Sequence, residues 1–306
     1  MVEVVDAIPA WQWIAAAFVF GALWGSFANV VIHRWPREMS IVRPGSHCPE
    51  CRAPVRFYDN IPIVSYLVLR GRCRRCRARI SPRYAVVELA MALLAVGVVR
   101  MTLLAAPPTF QQGLAEFFLW FAFAWALLTA GLIDLEHYLL PDAITLPGIV
   151  VGLVANAFVL DLGWKEPLIA AAGGFAVIRL LFVDGYELLT GKPGMGAGDA
   201  KLVAMLGAFL GVRGAVFALF AGAIQGVVVG GVMVALRRRR GPEAEPVFEE
   251  EVDEKTGEAP PPDARFRKAR VPFGPFLALG ALEYLFVGPV LVDLYSSGVE
   301  RLLGIG

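Results

Sequence analysis

Charge is what this 306-residue sequence has least of. Asp, Glu, Lys and Arg make up 18% of it against 57% hydrophobic residues, and mean hydropathy is +0.62. That is too little charge to coat a soluble domain of this length, so an ordinary soluble fold is excluded and the bilayer is the expected solvent. Before Arg34 there is no lysine or arginine, only the acids Glu3 and Asp6. The first apolar run thus lacks the basic flank of a cleaved secretory leader, is too long for one, and is expected to stay in the protein. No internal repeat stands out, so a transporter built from inverted repeats gains no support. Nor does a Gly-rich nucleotide fingerprint follow a strand.

What is present in abundance is apolar runs. A helix crossing about 30 Å of hydrocarbon needs about 20 such residues. Runs near 11–33, 84–106, 114–133, 143–160, 167–189, 201–212, 214–236 and 272–292 predict eight transmembrane helices. The sixth is short, with a turn or kink expected at Arg213-Gly214. The fold class is therefore an all-α polytopic membrane protein. Of the 28 Lys and Arg, twelve lie in residues 34–83 and nine in 237–270. The positive-inside rule sends both segments to the cytoplasm, and eight spans put both on one face with the termini opposite. The chain divides into a first helix (1–33), a soluble insert (34–83), a transmembrane core (84–236), a linker (237–270) and a last helix with its tail (271–306). Within the linker, GPEAEPVFEEEVDEKTGEAPPPD is acidic and Pro-rich, a composition that predicts disorder.

The insert holds all four cysteines, as Cys48-x-x-Cys51 and Cys73-x-x-Cys76 separated by 21 residues. This is close to the spacing of tetrahedral four-thiolate zinc sites, with a loop one residue longer than usual. Two disulfides or four free thiols are the competing readings, and disulfides are disfavoured in a reducing cytoplasm. A structural Zn2+ is the reading preferred here, because a module this small needs a staple. The adjoining Arg52, Arg72, Arg74, Arg75, Arg77 and Arg79 suit either an anionic metal centre or anionic membrane lipids. A closed four-thiolate site leaves His33 and His47 with polar interface roles.

Ionisable groups at membrane depth are costly and are functional candidates by default. Asp134 ends the apolar run FFLWFAFAWALLTAGLI, and Asp199 follows GKPGMGAG and opens the helix beginning KLVAML. Both fall at the same membrane face. Two such carboxylates, if they meet, share one proton and serve as base and acid in peptide hydrolysis. Gly194, Gly196 and Gly198 would permit unusual backbone angles and close approach of a substrate strand. An Asp in a first helical turn is also a common cap, so the residues alone leave catalysis at Asp199 open. Asp142, after Pro141, reads as an N-cap or as support for the site. Arg179, Asp184 and Glu187 share one span and read as a structural network. Glu88 sits near the start of the second span, where a helix-starting acid needs no chemistry.

Several long stretches together resemble one family. GSFANVVIHRWP (25–36), YDNIPIVSYLVLRGRCRRCRARISPRYAVVELA (58–90), IDLEHYLLPDAITLP (133–147), GKPGMGAGDAKLVAMLGAFLG (191–211) and PFGPFLALG (272–280) are similar to type IV prepilin peptidases, the GxGD aspartic proteases of pilus and type II secretion systems. The resemblance implies that Asp134 and Asp199 are the catalytic pair, supported by Gly196, Gly198, Lys201 and Asp142. It implies cleavage of prepilins or pseudopilins after a Gly, at the cytoplasmic side of a bacterial inner membrane. Nucleic acid is not among the implied partners, and oligomeric state is left open.

Members with the cysteine-bearing region also methylate the new amino terminus, usually Phe, from S-adenosyl-methionine. By that resemblance alone, Gly25, Ser26, Asn29, Arg34, Asp59, Asn60 and Glu88 are candidates for the methyltransferase. This chain departs from the family in its acidic linker and in Ala197, where some relatives carry an aromatic residue. The alternatives are a peptidase that does not methylate, a nonenzymatic assembly factor docking partners through the zinc module, and a transporter using Asp134, Asp199 and Arg179 as a proton path.

Overall fold

The computed structural model describes residues 8–105, 107–191, 194–240 and 272–303. Lys192, Pro193 and linker residues 241–271 lie outside the described residues, and so does the disorder expected for 241–263. The described chain is helical, with two isolated β-bridges in the insert. Its elements are α1 (Ala10–Arg34), α2 (Val64–Val68), α3 (Arg83–Met101), α4 (Phe110–His137), α5 (Asp142–Phe158) and α6 (Lys165–Val177). A π-helical stretch, Ile178–Gly185, leads into α7 (Tyr186–Thr190), followed by α8 (Ala197–Arg240) and α9 (Gly274–Leu303).

All eight expected apolar segments are helical. By length and composition, five helices among the described residues qualify as membrane spans, among them Lys165–Thr190 as one continuous piece. Asp142–Phe158 is a shorter apolar helix of 17 residues, and a count of eight is not reproduced among the described residues. The expected sixth and seventh segments are one element broken at Gly211, two residues before the anticipated join. At φ 69° and ψ −169°, Gly211 occupies a region open essentially to glycine alone.

Two apolar cores share α4. One joins α1, α3 and α4 through Ile32, Met91, Val98 and Phe121. The other surrounds the first half of α8, where Leu202, Val203, Met205 and Leu206 are fully buried against α4, α6 and α9. A helix apolar on every side is expected at such a centre. Gly207 brings it against α6 so closely that a Cβ there would lie 2.6 Å from the Ala170 carbonyl carbon, the small-residue contact by which helices associate in lipid. In the π-helical stretch the backbone hydrogen bonds run from i to i+5, a wider turn that brings Arg179 within 3.0 Å of Asp184, five residues on. The expected pairing within that span is present there, and Glu187 is not part of it.

The break in α8 strips carbonyls of their helical partners, and a buried side chain answers them. Asn156 of α5 donates to Ala208 O at 2.9 Å and Phe209 O at 3.2 Å. Gly152, one turn earlier, lets α5 approach that close, since a Cβ would lie 2.9 Å from the Ala208 carbonyl carbon. Asn156→Leu keeps the branching at Cγ and removes the donor. It is expected to destabilise the protein by about 1–3 kcal/mol, the cost of leaving buried acceptors unsatisfied. The measurement is thermal unfolding of purified protein in detergent, and a midpoint unchanged from wild type would show that the carbonyls find other donors.

Candidate active site and metal centre

The loop joining α4 to α5 and the loop entering α8 face one another across a cavity of about 570 Å³. Tyr138 ends α4 in the left-handed region (φ 52°), its amide donating to Asp134 O at 2.9 Å, and Pro141 starts α5. This turn brings Leu139 and Leu140 to the cavity wall opposite Gly196–Asp199. Asp134 and Asp199 are 6% and 7% exposed, and both line the cavity. They come from helices consecutive in neither sequence nor contact order, and the fold has placed them together.

Each acid receives a backbone amide. Gly196 N–H donates to Asp199 Oδ2 at 3.2 Å, while the Asp199 amide donates back to Gly196 O at 3.1 Å. The Gly274 amide, at the start of α9, is directed at Asp134. Gly274 also packs so tightly on that carboxylate that any Cβ would collide with it. Close approach likewise explains Gly198, where a Cβ would sit 3.0 Å from Leu140 Cβ. Unusual backbone angles do not: Gly194, Gly196 and Gly198 are all absent from the positive-φ glycines, whereas Gly191, which caps α7, is among them.

Asp142 differs from its expectation as an N-cap. It is the first residue of α5 and makes no capping bond; Pro141 occupies the cap. Its carboxylate instead takes both bonds from Lys201 Nζ, at 2.6 and 2.8 Å, tying the start of α5 to the first turn of α8. Asp142 is the more exposed acid of the three, at 56% of its side chain. Trp35 also reaches the cavity, from the 3-10 turn that follows α1. Trp35 and Gly274 stand inside the RWP and PFGP stretches, so the motifs pointed to them without assigning a role. Ala197 lies on the cavity wall, where an aromatic side chain would fill space.

In the insert, the Sγ atoms of Cys48, Cys51, Cys73 and Cys76 lie within 4.8 Å of one another. Cys48 faces Cys76 at 3.7 Å and Cys51 faces Cys73 at 4.0 Å. A tetrahedron with metal–sulfur bonds of about 2.3 Å has edges of about 3.8 Å, so four thiolates here fit a tetrahedral ion. The two halves of the centre are built alike. The amides of Cys48 and Cys73 donate to Ala53 O and Ala78 O, and the amides of Val55 and Ile80 to Ser46 O and Gly71 O. Arg52 and Arg77 both turn through positive φ. The sequence signal was available: CPECRAPV and CRRCRARI share C-x-x-C-R-A-x-[VI], 25 residues apart. That short repeat corrects the expectation that none is present.

Amides of Cys76 and Arg75 directed at its sulfur hold the Cys73 thiol down to about 6. Cys76 is pulled down by the Ala78 amide, yet burial and the neighbouring thiols push it up to about 12. Four thiols this close cannot all ionise without a cation, so metal binding would release protons. Next to the centre, Arg74 grips Asp59 with Nε at 2.8 Å and Nη2 at 2.6 Å, holding that carboxyl below the usual carboxylate range.

The structure brings together only some of the residues that resemblance singled out for methyl transfer. Gly25 and Ser26 of α1 lie against Glu88 of α3. Glu88 does not start the helix; its carboxylate accepts the Ile63 amide at 2.7 Å. Asn29 donates to Tyr84 O at 3.0 Å, and Arg34 holds Ser40 O and Pro44 O at 3.0 and 2.7 Å, so both stitch α1 to its surroundings. Asp59 and Asn60 lie at the turn before α2, where Asp59 answers Arg74. His47 bonds Gly45 O at 3.0 Å and stays outside the thiol set.

Comparison with known proteins follows the same division. Residues 19–102 match the Bacterial Peptidase A24 N-terminal domain, and residues 121–231 match the Type IV leader peptidase family. The Prepilin leader peptidase/N-methyltransferase of Myxococcus xanthus (strain DK1622) is 35% identical over 335 residues, spanning 94% of each chain. Its counterpart from Pseudomonas aeruginosa is 33% identical over 92% of this chain and 93% of that protein. That from Neisseria gonorrhoeae is 37% identical over 74% of this chain and 84% of its own length. No solved structure matches. With its N-terminal and peptidase regions both matched and relatives aligned nearly end to end, the chain belongs to the type IV leader peptidase family.

Proposed function

We propose that this chain is a bifunctional prepilin peptidase: it cleaves the leader of type IV prepilins or type II secretion pseudopilins after Gly and methylates the new amino terminus. One observation carries the reading. Two buried acids from α4 and α8 line one cavity in a chain that aligns nearly end to end with relatives named for both activities. The site lies at the cytoplasmic face of a bacterial inner membrane. Support comes from the clustering of arginine in residues 34–83 and 237–240, segments that the positive-inside rule sends to the cytoplasm.

In the peptidase, Asp134 and Asp199 hold one proton between them. The charged acid takes a proton from water as its oxygen attacks the scissile carbonyl, and the protonated acid donates to the carbonyl oxygen. The proton then passes to the leaving amine as the C–N bond breaks. Lys201 and Asp142 act as a strap, holding the two loops that carry the acids at a fixed separation. Asp134→Asn and Asp199→Asn should each slow cleavage of a synthetic prepilin by at least about 100-fold. Both variants should still methylate a peptide supplied without its leader. Cleavage at the wild-type rate by either variant would sink the aspartate assignment, and loss of both activities together would point to misfolding.

The methyl group comes from S-adenosyl-methionine, which supplies it as an electrophile to the free amine. We place this activity in the unit of α1, the insert and α3, apart from the peptidase core of 84–236 in sequence but sharing α3 with it. The four thiolates hold a structural Zn2+ that folds the insert. Metal analysis should find about one zinc per chain, falling to background in Cys48→Ser and in Cys73→Ser. Undiminished zinc in these variants would remove the assignment. Mass analysis showing leader loss but no methyl gain would leave a peptidase without the second activity.

A further inference from the structure

The insert carries apolar surface that neither the thiol centre nor the proposed reactions use. Val64, Leu67 and Val68 project from α2 at 52%, 67% and 68% exposure, with Ile61 (48%) and Phe57 (86%) just before it. An aqueous loop would not hold so many exposed apolar side chains in so short a stretch.

The segment is not held away from the bundle. Its Ile63 amide donates to Glu88, five residues into α3 and so about 7.5 Å inside that span at 1.5 Å per residue. Ser26, the other neighbour of Glu88, is eight residues short of the end of α1, about 12 Å along the axis. The turn at Ile63 is therefore held beside α3, at the carboxylate of Glu88. On α3 at that level, Val86 and Leu89 are 62% and 42% exposed, the outward apolar face of a span. The turn is fixed, since the buried Ser65 Oγ accepts the Ile61 amide and donates to Tyr58 O, each at 3.0 Å. Ile63 lies in the left-handed region (φ 62°), strained for a β-branched residue and held there by the bond to Glu88.

Charge identifies the partner. Residues 34–83 contain twelve arginines and no lysine, against Glu38, Glu50 and Asp59. Asp59 is already engaged by Arg74, while Arg70, Arg72, Arg75, Arg77 and Arg79 are exposed and outside every ion pair of the described residues. We infer that α2 is an interfacial anchor: Val64, Leu67 and Val68 enter the boundary between headgroups and acyl chains, and the neighbouring arginines bind anionic phospholipid. Interfacial helices lay such an apolar face at the boundary of headgroups and acyl chains, with basic residues beside it. Juxtamembrane arginines are drawn to an anionic surface and are screened within a Debye length of it. The anchor would fix the insert's height on the membrane independently of the thiol centre.

The test uses the full-length protein in vesicles, with Leu67→p-benzoylphenylalanine, Val68→p-benzoylphenylalanine and, as reference, Glu50→p-benzoylphenylalanine at an exposed position on the first cysteine turn. After irradiation, adducts are identified by mass. Lipid adducts at 67 and 68 should exceed those at 50 several-fold, and should rise several-fold when phosphatidylglycerol replaces phosphatidylcholine. Two positions guard against one misfolded variant, with monodispersity checked for each. Equal lipid yield at 50 and 67, or adducts to a second copy or another protein in place of lipid, would overturn the anchor. Yields indifferent to headgroup charge would overturn the arginine part alone.

Discussion

Hydrocarbon offers a carboxylate neither water nor a counter-ion, and the arrangement of this chain follows from keeping Asp134 and Asp199 out of contact with it. Asp199 belongs to the first half of α8, which is enclosed on every side, so its helix presents no face to lipid there. Asp134 ends α4, the helix common to both cores, and is covered by the start of α9 and by Leu140. The two acids thus open only into the cavity between the loops. Shielding of this kind does more than tolerate the charges. It removes bulk water from the place where one water must act, and there an amide dipole such as that of Gly196 or Gly274 counts for more than it would in solution.

The same scarcity of partners governs the backbone. A break inside a membrane helix is tolerated only where other protein groups satisfy the freed carbonyls. Gly211 breaks α8 and Asn156 meets the exposed oxygens, so the kink sits where α5 can reach it. Without the break, α8 would run on as one straight helix. With it, the segment carrying Asp199 packs as a central post while the remainder lies along α9.

Much of this was legible in the residues. Apolar run length gave the helices because lipid leaves the backbone no other choice, and the sidedness in the proposal rests on the sorted arginines alone. The cysteine spacing was legible because tetrahedral thiolate geometry constrains it. Three things were not. Asp142 read as a cap or as support for the site; the cap half missed because capping is a local preference, while its bond to Lys201 spans 59 residues. The glycines before Asp199 read as allowing unusual backbone angles and close approach of a substrate strand, whereas Gly198 serves the packing of Leu140, a contact no periodicity encodes. The count of eight is not reproduced, because α5 is only 17 residues long and α8 joins two runs into one element broken at Gly211.

On the proposed reading, two reactions must act in turn on one chain end. A substrate whose apolar segment stays in the bilayer can carry its new terminus sideways far more cheaply than it can raise or lower it, because depth changes move polar groups into hydrocarbon. Both sites must then stand at one membrane level and near one another. The structure has the connections this requires. Arg83 at the start of α3 pairs with Glu136 at the end of α4 at 2.5 Å, binding the N-terminal unit to the helix of Asp134 at the same end of the bundle. Trp35, from the end of α1, forms part of the cavity wall itself. The polar contacts of Ser26 and Glu88 lie about a turn to two turns inside those helix ends. On that reading, Trp35 and the Arg83–Glu136 pair are the two points at which the N-terminal unit meets the helices of the peptidase cavity, and the insert between α1 and α3 hangs from the same end.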